Sequence, residues 1–449
     1  MQIYVFISFF IFLINFVYCK INYSNYKLYN VVPLERFQLK FLQGLEDQKY
    51  LNVIFWSRPF RLYEAIQILV SPNDDDLFKE RLQHFSLKGT LLSENIQNLF
   101  EKQKIRRYVR MKLETFSWDA YHDLEGVYQW MTDITTLYSD KASISAIGRS
   151  AEGREILAVE VKNNKAAKTV IVEGGIHGNE WVTAEFVTYL AYQLLNAEKT
   201  LNTKLKEVSK KFNWIMIPIV NPDGYDYTMK SDRLWRKNRR HVGNGIYGVD
   251  LDRNFDYSFC KFGGSNNLSN EFYCGPHAFS EPETKELSQF INFNKQNLKY
   301  YFSIHAYGEN IILPYADRIK HIDNFLEMEN YGKQAILKMY KLYGVKYRIG
   351  TIYDVYGYRA SGDSVSWVKN TYRTKYAMSF YLRDNGTFGY ALPADQILPA
   401  CREAMIGLIE VMTVRHRHVG RELFGVATNI NINSFVILTI VILYIFILK

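Results

Sequence analysis

Two hydrophobic periods alternate along residues 118–415. Ile144–Arg149, Ile156–Val161, Thr169–Val172, Phe212–Val220 and Phe302–His305 are short apolar runs bounded by turn residues, which predicts strands. Ala120–Leu137 sets Tyr121, Leu124, Val127, Tyr128 and Met131 on one helical face. Ala184–Leu195, Glu283–Phe293, Asn330–Leu342 and Ala394–Val414 also predict helices. This alternation predicts an α/β domain with a central mixed, twisted sheet and helices on both faces. Residues 20–110 are patterned apart from it. Leu51–Trp56 and Tyr63–Val70 read as strands, and Ser71-Pro72-Asn73-Asp74 stops the second. Asp76–His84 and Ser93–Lys104 carry helical spacing. A small open-sandwich α/β unit is expected there.

The two ends follow neither period. Residues 1–19 are an apolar run followed by polar Lys20-Ile21-Asn22, the pattern of a secretory signal peptide, although no positive charge precedes the run. An uncleaved anchor is the alternative. Residues 420–449 join a polar spacer to an apolar run, Phe435–Leu448. The run is shorter than the roughly 20 residues a spanning helix needs, and it fits a signal exchanged for a lipid anchor. A single short transmembrane helix is the alternative. The expected layout is signal 1–19, small unit 20–110, main domain 111–419 and anchor segment 420–449. It places the protein in the secretory pathway, extracellular or held at a membrane through its C-terminus.

Composition adjusts this picture little. A chain of 449 residues with 48% hydrophobic positions has material for two folded units. The net charge of +9 is spread without long Lys/Arg blocks. Nucleic-acid binding needs a concentrated basic stripe, so no nucleic-acid partner is expected. Among four cysteines, Cys260 and Cys274 suit a disulfide in an oxidising compartment. Cys19 falls at the end of the signal, and Cys401 lies in a helical pattern as a buried thiol. Asn22, Asn267 and Asn385 begin glycosylation sequons.

The candidate chemistry starts at Ile171–Trp181. The strand runs into a Gly174-Gly175 turn that presents His177 and Glu180. Imidazole nitrogen and carboxylate oxygen commonly bind zinc, and a catalytic site takes three protein ligands plus a water. His305, at the end of another strand, is the natural third ligand.

Five further segments follow in order: Asn221-Pro222-Asp223-Gly224, Arg233-Leu234-Trp235-Arg236, Val249-Asp250-Leu251-Asp252-Arg253-Asn254, Gly357–Trp367, and Phe380-Tyr381-Leu382-Arg383-Asp384. Together they resemble the zinc carboxypeptidases of the A/B, pancreatic-type group over about residues 112–418. Residues 26–110 resemble that family's activation propeptide, and the layout is similar to that of its lipid-anchored members. The resemblance implies the zinc carboxypeptidase fold, one zinc ion (Zn2+) on His177, Glu180 and His305, and removal of C-terminal residues from peptides or proteins. It implies that Arg236 stabilises the developing oxyanion and that Arg253 grips the terminal carboxylate. Tyr358 matches the tyrosine that covers the bound residue. Val365 matches the floor of the specificity pocket, and an aliphatic floor implies a hydrophobic side chain. The propeptide implies an activating trypsin-like protease, and the basic cluster Arg106, Arg107 and Arg110 is its expected cleavage region.

Four positions depart from the family pattern. Tyr381 stands where the family has the glutamate that takes a proton from water. A phenol of pKa about 10 is a poor base at pH 7, and such help is worth roughly 10²–10⁴-fold. The phenol can instead donate to a bound carboxylate or reach the metal. Asn179 replaces an arginine, which removes a substrate-attracting charge. Asp252 replaces an asparagine beside Arg253. Like charges 4 Å apart cost up to about 4 kcal/mol at an effective dielectric of 20. Asp363 adds an acid near the pocket and favours a basic side chain, against Val365. Two readings stay open: a metallocarboxypeptidase with impaired turnover, and an inactive zinc-binding pseudoenzyme that binds peptides at the cell surface. A metal-free adhesive ectodomain is a third.

Overall fold

The computed structural model describes residues 20–45, 51–57, 60–107, 116–163 and 167–414. The expected signal, Arg110 and the anchor segment lie outside the described residues.

The N-terminal unit is an antiparallel sheet in the order β2-β3-β1-β4, built from β1 (Lys27–Val31), β2 (Val53–Phe55), β3 (Ile66–Val70) and β4 (Gly89–Ser93). Every residue of β3 is buried, and its period of two shows why. Ile66, Ile68 and Val70 pack with Phe41 and Leu42 of α1 (Arg36–Gly44) and with Phe78 and Leu82 of α2 (Asp75–His84). Leu69 faces the other way and joins Leu28, Trp56, Leu234 and Ala391. Apolar surface of the small unit is therefore buried against the larger one.

The central sheet has eight strands: β5 (Ala142–Arg149), β6 (Glu155–Val161), β7 (Lys168–Glu173), β8 (Phe212–Ile217), β9 (Leu298–Ala306), β10 (Asn310–Ile312), β11 (Arg348–Gly350) and β12 (Tyr376–Leu382). Their order is β11-β10-β12-β9-β7-β8-β6-β5. The central pairs β8–β7, β7–β9 and β9–β12 are parallel, whereas β8–β6, β6–β5 and β10–β12 are antiparallel. Alternation divides the two faces. Ile171, Ile215, Ile217 and Tyr301 form one core with Leu287 and Ile291 of α3 (Pro282–Asn294) and with Val365, Trp367 and Val368 of α4 (Ser364–Tyr372). Their neighbours Val170, Val172, Trp214, Met216 and Phe302 are fully buried. They face the opposite side, and the helix Trp181–Leu195 packs on β8 and β9. This is the mixed sheet with helices on both faces that the pattern predicts.

Boundaries differ where local chemistry intervenes. The helix expected from Ala120 begins at Leu124, because the Asp123 side chain caps it by accepting from Gly126 N. Tyr121–His122 instead pairs in parallel with Ile105–Arg106. The strand expected from Tyr63 begins at Ile66, since Tyr63 holds a left-handed φ of 64°. Ser93 closes β4, and only Gln97–Glu101 of the following stretch is helical. Cys260 and Cys274 are bonded, with Cα atoms 5.8 Å apart, and Cys401 is a buried free thiol. Asn22, Asn267 and Asn385 are all exposed. Among the described residues no helix is long and apolar enough to cross a membrane.

Candidate metal centre and cleft

Three strand ends converge on one site. After β7 the chain turns through Gly175, which has φ +59°. A Cβ there would lie 2.9 Å from Ile219 Cα and from Pro218 O, so the turn requires glycine. The turn delivers His177, and Glu180 at the N-cap of the next helix. β9 carries His305 beside them. The ligand atoms of His177, Glu180 and His305 lie within 4.8 Å of one another, and all three residues are buried.

The outer ring nitrogens are anchored. His177 Nε2 lies 3.1 Å from Asp250 Oδ1, and His305 Nε2 lies 2.9 Å from Ser303 Oγ. Both Nδ1 atoms therefore face Glu180, at 2.9 Å from Oε1 for His177 and 3.3 Å from Oε2 for His305. Apart from that Glu180 contact, buried His305 Nδ1 has no hydrogen-bond partner among the described residues. Two imidazoles and a carboxylate, with outer atoms fixed by neighbouring polar groups, suit one zinc ion. Burial opposes charge on His305, but the adjacent Glu180 prevails and raises it to about 9. Burial likewise opposes charge on Glu180, and the two histidines hold it below the usual carboxylate range.

Tyr381 is the register partner of His305 across β9 and β12. Its ring stacks on that imidazole, with centroids 4.8 Å apart and planes 17° from parallel. Burial and then the Asp252 charge push its phenol well above the ordinary range. Arg236 donates from Nε to Asp250 Oδ2 at 3.2 Å, and its Nη1 lies 3.7 Å from Glu180 Oε1. Asp250 thus fixes both a candidate ligand and a candidate catalytic arginine.

Beside the triad lies a second pocket of about 20 Å³, lined by Asp252, Arg253, Ile312, Ala316, Ile352, Tyr358, Ala360, Asp363, Val365 and Tyr381. Arg253 Nη1 is 3.6 Å from Asp252 Oδ2. Asp363 caps α4 by accepting from Ser366 N through Oδ1, and its Oδ2 is buried without a hydrogen-bond partner among the described residues. Burial and the Asp252 charge push Asp363 up to about 6. Asn179 is buried at the cleft wall and donates to Leu234 O.

The N-terminal unit covers the cleft, a cavity of about 550 Å³ lined from both units. Phe60 stacks on Tyr358 with centroids 3.8 Å apart. Arg61 Nη2 donates to Tyr353 O at 2.6 Å, and Tyr307 Oη donates to Trp56 O at 2.8 Å. At the far end of the unit, Arg106 is held by Ser117 and Asp119, while Arg107 is exposed.

Asp250, Ser303 and Glu173 are the residues that sequence reasoning left without a role. Glu173 is fully buried and accepts from Ser364 Oγ and Tyr301 Oη. Ser303 precedes His305 by two positions on one strand, so it shares the His305 face. That spacing is a signal the sequence does carry. Asp250 has only its place in the Asp-Leu-Asp-Arg run.

A mixed sheet ending in a buried His-Glu-His set, under an N-terminal unit that closes the cleft, defines a metalloprotein with a covered site. Residues 127–407 match the zinc carboxypeptidase family and residues 29–103 match the carboxypeptidase activation peptide, so the chain belongs to the zinc carboxypeptidase family. It is 32% identical over 393 residues to zinc carboxypeptidase A 1 of Anopheles gambiae, covering 87% of this chain and 90% of that protein. It is 34% identical over 303 residues to carboxypeptidase O of Bos taurus, covering 67% of this chain and 80% of that protein. The crystal structure of thrombin activatable fibrinolysis inhibitor superposes with a TM-score of 0.81 at 27% identity, covering 86% of this chain and 98% of that one.

Proposed function

We propose that this chain is a zinc protein that receives the C-terminal end of a peptide and cleaves it slowly, because Tyr381 occupies the place of the base. One observation carries this reading: Tyr381 lies flat on His305 at 4.8 Å, with its phenol held well above its ordinary range. At pH 7 such a phenol is protonated. It donates a hydrogen bond and does not take a proton from water.

When bound, zinc would polarise a peptide carbonyl and lower the pKa of a water. Arg236, braced by Asp250, offers its guanidinium where negative charge grows on the carbonyl oxygen. Arg253 faces the terminal group of the peptide, and Tyr358 covers it once Phe60 has left. Val365, Ile312, Ile352 and Ala360 give the pocket an aliphatic wall, which favours a hydrophobic side chain. The neutral Asn179 removes one attraction for an anionic substrate. A trypsin-like cut at Arg107 or Arg110 would free the covering unit. The signal and the C-terminal anchor would place the protein at a cell surface.

A second reading, a pseudoenzyme that only binds peptides, is favoured by Asp252, whose carboxylate lies 3.6 Å from Arg253 and competes for it. The test is to load the full chain with zinc, nick it with trypsin, measure its metal content and follow N-blocked dipeptides ending in Val, Phe or Lys. One equivalent of zinc and turnover far below that of an A-type carboxypeptidase are expected. Turnover within about tenfold of such an enzyme refutes the slow-cleavage reading, since the base alone is worth more than that. Binding with no turnover at all selects the pseudoenzyme.

A further inference from the structure

We propose that the terminal-group subsite around Arg253 is matched to a carboxamide and discriminates against a free carboxylate, so that the preferred ligand is a C-terminally amidated peptide. This rests on the reading above, that Arg253 faces a peptide's C-terminal group.

The inventory of donors and acceptors carries the argument. Arg253 donates from Nε to Gly263 O at 3.0 Å and from Nη1 to Asp252 O at 2.7 Å. Its Nη2 makes no hydrogen bond among the described residues and is left for a ligand. Asp252 accepts from Ser364 N through Oδ1 at 3.2 Å. Its Oδ2 makes no hydrogen bond among the described residues and lies 3.6 Å from Arg253 Nη1 and 4.0 Å from His305 Nε2. Asp363 Oδ2 is buried with no hydrogen-bond partner among the described residues, in the wall of the same pocket. The subsite therefore presents one donor and two acceptor oxygens that make no hydrogen bond among the described residues, Asp252 Oδ2 being in ion-pair range of Arg253 and His305.

A carboxylate has acceptors only. Set against Arg253, it leaves both aspartate oxygens unpaired and faces them with like charge, which disfavours binding strongly in a desolvated pocket. A carboxamide has one C=O and two N–H groups. Its oxygen accepts from Arg253 Nη2 and its nitrogen donates towards Asp252 Oδ2 and Asp363 Oδ2, and no charge is brought in. Sites that pair a ligand N–H with a buried acceptor reject the analogue that lacks it far more sharply than apolar pockets reject a changed methylene. Asparagine at position 252 would supply a donor where the aspartate supplies an acceptor. Asp252 is thus the residue that sets this specificity.

The experiment uses the zinc-loaded full chain nicked with trypsin, with both pieces present. Isothermal titration compares N-acetyl-Gly-Val free acid, its carboxamide, and N-acetyl-Gly-Lys free acid. The carboxamide is expected to bind about tenfold or more tightly than the Val acid. Asp252→Asn, with zinc content unchanged, is expected to reverse that order, and Arg253→Met to weaken both. The wild-type ratio needs no variant, so a variant that fails to fold leaves the test intact. Equal or tighter binding of the Val acid overturns the proposal while the peptide-binding reading stands. Tightest binding of the Lys acid also overturns it, because the two acids then serve a side-chain cation. If no probe binds, the proposal and the reading it rests on fall together.

Discussion

Tyr381→Glu sets two opposing physical effects against each other, and each has its own readout. At pH 7 a phenol of ordinary pKa is ionised in about one part in a thousand, and burial with the Asp252 charge lowers that fraction here. A glutamate is almost fully ionised. Asp252 and Glu180, the charged groups that raise the phenol, also raise a new carboxyl, which brings it nearer the working pH and improves it as a base. Restoring the base should raise turnover of an N-blocked dipeptide by roughly 10²–10⁴-fold. The same change removes the stack on His305, worth about 0.5–1.5 kcal/mol. It also removes packing against the cluster of Ile312, Val355 and Ala360. A fully buried aromatic truncation costs about 3–5 kcal/mol. The Tyr381 ring is only partly buried, so about half of that range is expected, seen as a Tm lower by several degrees. Gain of activity with loss of stability is therefore the signature. A folded, zinc-loaded Tyr381→Glu protein with no more activity than the wild type refutes the assignment of this position. Asp252 and Asn179 would then be the positions to change next.

Three further outcomes follow from named contacts. Asp250→Asn keeps the shape but weakens the acceptor for His177 Nε2 and the brace on Arg236; zinc affinity should fall about 10–100-fold by competition with a chelator, and unchanged affinity would remove Asp250 from the site. Burial pushes Glu283 up to about 7 despite hydrogen bonds from Ala151 N and Asn238 Nδ2. Its folded pKa lies above the unfolded value near 4.5, so the folded state holds the proton more tightly, and stability present below pH 4.5 is lost as pH rises through 7, by roughly 3 kcal/mol. Glu283→Gln should flatten that slope and exceed the wild type in stability at pH 8; parallel melting curves from pH 4.5 to 8 would count against it. Replacing Cys260 and Cys274 by serine opens a loop of 14 residues and should cost about 3 kcal/mol in a denaturant titration; an unchanged midpoint would count against it.

Legibility in the sequence followed the range of each interaction. His177, Glu180 and His305 could be read because each sits at the end of a patterned strand, within a short motif whose spacing carries the chemistry. Tyr381 could be read as a departure because its motif is contiguous. Cys260 and Cys274 could be paired because the loop between them is short. The three-residue strands Asn310–Ile312 and Arg348–Gly350 could not, since so few positions show no period. The same holds for Asp123, whose capping bond cuts short an apolar pattern that continues past it.

By itself the sequence marked two differently patterned units, a candidate metal-ligand set, the disulfide and the tyrosine proposed to stand in the place of the base. Only the tertiary structure decided which atoms those residues have left over. It aims both Nδ1 atoms at Glu180 because Asp250 and Ser303 occupy the other ring nitrogens. It lays Phe60 on Tyr358 from a segment almost three hundred residues away. It leaves Asp363 Oδ2 unpaired among the described residues, in the pocket that Arg253 and Asp252 also line. The physical reason is that local pattern dictates which face of an element is buried, whereas a hydrogen-bond partner is a distance between elements. Such distances exist only once the sheet has brought the ends of its strands together.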